Sequence, residues 1–180
     1  MESKASIKRQ HILKSATEFI LQNDFNSLTL DSVAKQAGVS KGGLLYHFPS
    51  KEALMIGLAE YIFEKFNIRF NEHAENVDPI EKGKWCRALI EVSKWDLEHN
   101  AELNIGIIAA SMLNPDLSER ISHGYQYVQK KVEQDNIDPI TATIIRLAID
   151  GLYYSELFNI APLDEDLREK VIQQLMTMTK

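Results

Sequence analysis

Residues 29–48, TLDSVAKQAGVSKGGLLYHF, form the stretch whose residue types and spacing best suit a specific chemistry. Thr29 can cap a helix whose inward face is Leu30, Val33 and Ala34. Ala37-Gly38-Val39 then breaks it, with Gly38 suited to the positive φ of a tight corner. Ser40 can cap the next helix, where Leu44 and Phe48 are spaced to pack back on the first, and small Ala34 lets the two cross closely. That is the logic of a helix-turn-helix, whose second helix lies in the major groove of duplex DNA. Lys41 is the candidate for a base contact, for example to guanine; a solvated surface lysine is the plain alternative. Gly42 and Gly43 each cost a helix about 1 kcal/mol relative to alanine. A purely structural helix gains nothing from that, whereas one that brings its backbone close to DNA does.

Other chemistries find little support. The five histidines (His11, His47, His73, His99, His123) form no His-x-x-x-His or Glu-x-x-His pair of the kind that binds metal on a helix. Cys86 is the single cysteine, so neither a disulfide framework nor a cysteine-based zinc site is expected. Gly42-Gly43 lack the spacing of a phosphate-cradling loop, and acids such as those at Asp164–Asp166 read as helix-start charges. No catalysis, cofactor or metal is expected.

The elements that must position residues 29–48 are helical. Apolar residues recur at helical spacing along Ile12–Ile20, Met55–Phe70, Leu89–Trp95 and Ile144–Leu152, with no run of strict alternation. Asp78-Pro79, Asn114-Pro115 and Asp138-Pro139 read as helix starts, and Ser50 and Asp164 as further caps. The expectation is an all-α chain of about nine helices, over roughly 6–22, 29–36, 40–47, 50–74, 78–99, 101–113, 116–134, 139–159 and 164–178. The helix opening at Ser50 meets no breaker until about Asn76 and would link the N-terminal module to the body. The division expected is a helix-turn-helix domain over 1–49 and a ligand-binding and dimerisation domain over 50–180.

Charge is distributed accordingly. The net charge is −6 over 180 residues, yet residues 1–51 hold seven Lys and Arg against four acids, while the remainder carries −9. A basic working end on an acidic body fits a phosphate backbone as partner. Polar residues follow Lys4, Lys8 and Arg9 where a signal peptide would be apolar, and the longest apolar run, near Ile105–Ala110, is too short to span a bilayer. A cytoplasmic protein with no membrane role is expected.

Residues 7–58, ending in SKGGLLYHFPSKEAL, resemble the DNA-binding region of the TetR family of regulators. The resemblance implies three N-terminal helices, a linking fourth, and a helical C-terminal domain for ligand binding and dimerisation. It matches Thr29 to a helix-capping position that often touches phosphate, and Ser40, Lys41, Gly42 and Gly43 to the groove-facing start of the recognition helix. Tyr46 and His47 match backbone-phosphate contacts, and Lys51 a phosphate clamp. Where the family usually has an aromatic, this chain has Leu45, with its tyrosine one residue later; Leu45 is suited to a thymine methyl.

Ala148, Gly151 and Ser155, with Leu152 beside them, set small residues along one side of a helix, and Leu167, Val171 and Leu175 offer a matching stripe. The resemblance implies that these helices pair with their copies in a homodimer, presenting two recognition helices to operator half-sites about 34–36 Å apart. Closing the monomer's own core is the alternative use of both stripes. Phe63, Phe66, Phe70, Trp85, Trp95, Met112, Tyr125 and Phe158 are candidates to line a pocket for an unidentified small-molecule effector, with Arg146 and Asp150 as polar determinants. Plain core packing, and an i,i+4 pair between Arg146 and Asp150, are the alternatives. Function is expected to be that of a ligand-responsive DNA-binding regulator, a repressor on a palindromic operator released by an inducer. The rivals are a helical protein–protein adaptor and a ligand-independent regulator.

Overall fold

Short-range caps start most of the helices. In the computed structural model, which describes residues 3–76 and 81–180, Ser3 accepts the Ser6 amide at 3.0 Å to open α1, Lys4–Gln22. Thr29 and Ser32 close a reciprocal capping box at α2, Leu30–Gln36. Gly38 turns the corner at φ +63°, and Ser40 accepts the Gly43 amide to open α3, Lys41–His47. Ser50 does the same for Ala53 at α4, Lys51–Glu75. Later, Asn114 opens α6 (Pro115–Glu133), Asp138 opens α7 (Pro139–Leu157) and Asp164 opens α8 (Glu165–Met178), each through an amide three residues on.

Between them, α5 runs unbroken over Lys84–Ser111. The break expected at 99–101 is absent because Asn100 turns its amide onto Asp96 at 2.6 Å instead of capping a new helix. Eight helices result among the described residues, rather than nine. The start expected at Asp78-Pro79 lies outside the described residues. The N-terminus of α5 is capped from far along the chain: the buried Asp135 carboxylate accepts the amides of Trp85 (2.8 Å) and Cys86 (2.7 Å). Among the described residues no helix is long and apolar enough to cross a membrane.

The helices gather into two compact units, Met1–Glu64 with Glu102–Ser122, and Lys65–Ala101 with His123–Lys180. In the first, Ile12, Leu13, Leu44 and Phe48 share one core with Leu54 and Leu58 of α4 and with Leu103, Ile107 and Leu117. The three-helix head therefore closes its core with help from residues 102–122. Two glycines permit the close approach: a Cβ at Gly57 would stand 2.7 Å from the Phe48 ring, and one at Gly106 would overlap the Phe25 ring. In the second unit Phe70, Cys86, Val132 and Ile145 are fully enclosed, with Leu175 of α8 beside them.

Candidate nucleic-acid interface

α3 is anchored on one side and bare on the other. Leu44 and Phe48 are buried in the first unit's core, whereas Lys41 and Gly42 are exposed and Tyr46 is 79% exposed. Burying a leucine or phenylalanine stabilises by about 1.5–3 kcal/mol, enough to hold so short a helix in place. His11 secures the corner from α1, its Nε2 lying 2.9 Å from the carbonyl of Ala37. Arg9 is built into the support: it sits over the Phe48 ring at 5.1 Å and pairs with Glu60 at 3.2 Å.

All nine residues expected to contact DNA cluster at the start of α2, along α3 and at the start of α4. The Thr29 and Ser40 hydroxyls accept backbone amides, so both side chains organise helix starts. Lys51 opens α4 and is half-buried. The shifted tyrosine and its neighbour differ in exposure: Tyr46 projects outward, and Leu45 is half-buried. Tyr46 and His47 meet edge to face, with centroids 5.0 Å apart. Burial, then the nearby positive charges of Lys8 and Arg9, hold the His47 imidazole below its ordinary value of 6.5.

Lys8 is the neighbour that the sequence pattern did not single out. Its Nζ would lie 3.5 Å from a Cβ at Gly43, which places an ammonium beside the N-terminal turn of α3. The signal available in the sequence was the count of basic residues before position 51 rather than any motif.

The residues expected in an effector pocket separate. Phe63 and Met112 belong to the first unit, and Met112 is 77% exposed at the end of α5, which removes it from any interior lining. Phe70 and Trp85 are core, their rings 5.2 Å apart, and Phe66 stacks on Phe70. Trp95 is half-buried, stacked on His99 at 4.5 Å with the Arg69 guanidinium 3.6 Å from its ring centre. Tyr125, Arg146, Asp150 and Phe158 do approach one another through Tyr154. The Tyr125 and Tyr154 hydroxyls are hydrogen-bonded, Arg146 and Asp150 pair at 2.5 Å, and Tyr154 stacks on Phe158 at 6.0 Å. Burial pushes the Asp150 carboxyl up and the Arg146 charge opposes it; burial also pushes both phenols up.

Of the residues expected at a dimer face, Ala148, Leu152, Val171 and Leu175 turn inward onto the second unit's own core. The Ser155 hydroxyl donates to the carbonyls of Ile160 (2.8 Å) and Ala161 (3.1 Å), closing the end of α7. Gly151 and Leu167 are exposed, and so are Ile140, Ile144 and Leu147 of α7, which were not among the residues expected at the dimer face. α7 is apolar nearly all round, so periodicity alone does not say which face is turned inward.

Two family models match. The one described as bacterial regulatory proteins, tetR family, covers residues 12–58, and the one described as tetracyclin repressor-like, C-terminal domain, covers 83–180. The HTH-type transcriptional regulator UidR of Escherichia coli (strain K12) is 30% identical over 138 residues, which span 74% of this chain and 67% of that protein. Among solved structures, the multidrug binding protein EbrR complexed with ethidium superposes with a TM-score of 0.71 at 22% identity, covering 96% of this chain and 99% of that one. Salmonella enterica GusR superposes with a TM-score of 0.66 at 21% identity, covering 98% and 97%. With a bare helix held on a helix-turn-helix and both parts of the chain matched, this protein belongs to the TetR family of DNA-binding transcriptional regulators, and is not an enzyme.

Proposed function

We propose that the chain is a ligand-responsive repressor that binds a palindromic operator as a homodimer in the cytoplasm and leaves it when a small-molecule inducer binds. Residues 1–49 read the DNA; residues 50–180 hold the effector and the partner copy. The observation that carries the reading is the two-sided character of α3: Leu44 and Phe48 anchor it, while Ser40, Lys41, Gly42 and Tyr46 lie outward. Gly42 and Gly43 allow a close backbone approach, Lys41 supplies a base contact, and Thr29, His47, Lys51 and Lys8 supply charge or hydrogen bonds to phosphate. Leu45 remains suited to a thymine methyl.

The exposed stripe of Ile140, Ile144 and Leu147, with Gly151 on the same face of α7, supports a two-fold contact between copies. The polar and aromatic group of Tyr125, Arg146, Asp150, Tyr154 and Phe158, with Trp95 and Phe66 in the same unit, supports an effector site there. An inducer releases DNA only by as much as it prefers the state that binds operator poorly.

The test is to select bound sequences from random DNA and measure affinity for the resulting site by anisotropy. Alanine at Lys41, Tyr46 or Lys51 should each lower it, with a shallower salt dependence for Lys51 and relaxed base preference for Lys41. Retention of full affinity by all three variants refutes the interface. Operator affinity unchanged by any compound that binds the second unit refutes the switch.

A further inference from the structure

A cavity of about 180 Å³ opens between α5, α7 and α8 within the second unit. Ile90, Leu97, Ile149, Leu152, Tyr153 and Ile172 form its apolar walls. A void of roughly 150 Å³ lined by such residues takes a benzene-sized ring. None of the residues proposed for the effector site above lines it. On α7 its residues Ile149, Leu152, Tyr153 and Glu156 fall on the side opposite Ile140, Ile144 and Leu147, as a helix of 3.6 residues per turn requires. The cavity and the exposed stripe are therefore separate surfaces of one helix. The Tyr153 hydroxyl is spent on Asp96 at 2.7 Å, so this residue offers the cavity its ring.

The charged groups of the lining are unequal. Glu98, Glu156 and Glu169 face Lys94 and Arg168, an excess of one negative charge. Lys94 and Glu169 are paired at 3.8 Å, and Arg168 approaches Glu156 Oε1 at 3.3 Å. That second approach is an ion pair without hydrogen-bond geometry: Glu156 Oε1 is buried and receives no hydrogen bond from the described residues. A buried carboxylate oxygen left without a donor is costly, and a charge-assisted N–H bond is the strongest way to supply one.

The geometry points to a binding site for a small apolar ammonium ion, its hydrocarbon body between α5, α7 and α8 and its ammonium on Glu156. The site is additional to the proposed effector site and does not depend on it.

The test uses the full chain and three probes of similar size: phenethylammonium chloride, 2-phenylethanol and phenylacetate, each titrated by calorimetry. Phenethylammonium should bind saturably, at least about tenfold more tightly than the alcohol, and phenylacetate should not bind. Glu156→Gln should remove that preference while leaving the alcohol unchanged, and Ile172→Phe should block both by filling the cavity. Intermolecular NOEs from the probe's ring to the methyls of Ile149, Leu152 and Ile172 give a readout that needs no variant. No saturable binding, equal binding of the three probes, a preference that survives Glu156→Gln, or NOEs elsewhere would each overturn the assignment.

Discussion

The Lys41 ammonium lies 3.0 Å from the Asp31 carboxylate, pairing the first residue of α3 with the first turn of α2. Both side chains are largely exposed, so the pair stabilises the fold by no more than about 1 kcal/mol. Its consequence is for DNA: Lys41 must leave Asp31, or share it, to reach a base. Asp31→Asn should raise operator affinity about two- to fivefold and steepen the salt dependence, because one acid facing the DNA is removed. Anisotropy titrations between about 50 and 200 mM salt read both quantities. An unchanged slope would show that Lys41 is already free to engage DNA.

His47 supplies a pH dependence. Burial and the charges of Lys8 and Arg9 depress its pKa in the free protein below the ordinary 6.5. A phosphate beside it would raise that pKa, so binding takes up a proton; affinity climbs as pH falls through the raised, DNA-bound value and levels off below the depressed, free one. His47→Gln should flatten the profile measured from about pH 5.5 to 8.

Gly106 is required by the ring above it. Gly106→Ala would drive a methyl into Phe25 and should destabilise the protein by about 1–3 kcal/mol in urea unfolding. Phe25→Ala in the same background should make the added methyl nearly harmless.

Asp135 makes stability depend on pH in the unusual direction for a carboxylate. Burial pushes its pKa above the ordinary 3.8, although the amides of Trp85 and Cys86 and the charge of Arg87 oppose this. The folded chain thus holds the proton more tightly than the unfolded one. This contribution is fully present below the ordinary value and is lost as pH rises through the folded value. Asp135→Asn should remove that slope from a series of denaturation curves. Asp135→Ala, which strands two helix-start amides, should cost about 1–3 kcal/mol.

Leu147, 55% exposed on the stripe of α7, tests the dimer. Leu147→Glu should give a monomer by sedimentation while leaving helix content intact, and operator affinity should fall with the loss of the second half-site. A dimer that persists would move the interface elsewhere.

The head was legible before any coordinates because its determinants lie close together along the chain. Thr29 with Ser32, Gly38, Ser40 with Gly43, and Leu44 with Phe48 each act within four residues, the reach of one helical turn. The caps at Ser50, Asn114, Asp138 and Asp164 were readable for the same reason. The break expected between 99 and 101 is absent, and there Asn100 bonds Asp96 inside the same helix.

What only the tertiary structure decided depends on partners far apart in sequence. Asp135 caps a helix that begins about fifty positions earlier, Gly106 lies against Phe25, and residues 102–122 complete the core of the N-terminal head. On α7 the apolar residues run nearly all the way round. Only the packing of its neighbours could turn Ala148 and Leu152 inward and leave Ile144 and Leu147 outside.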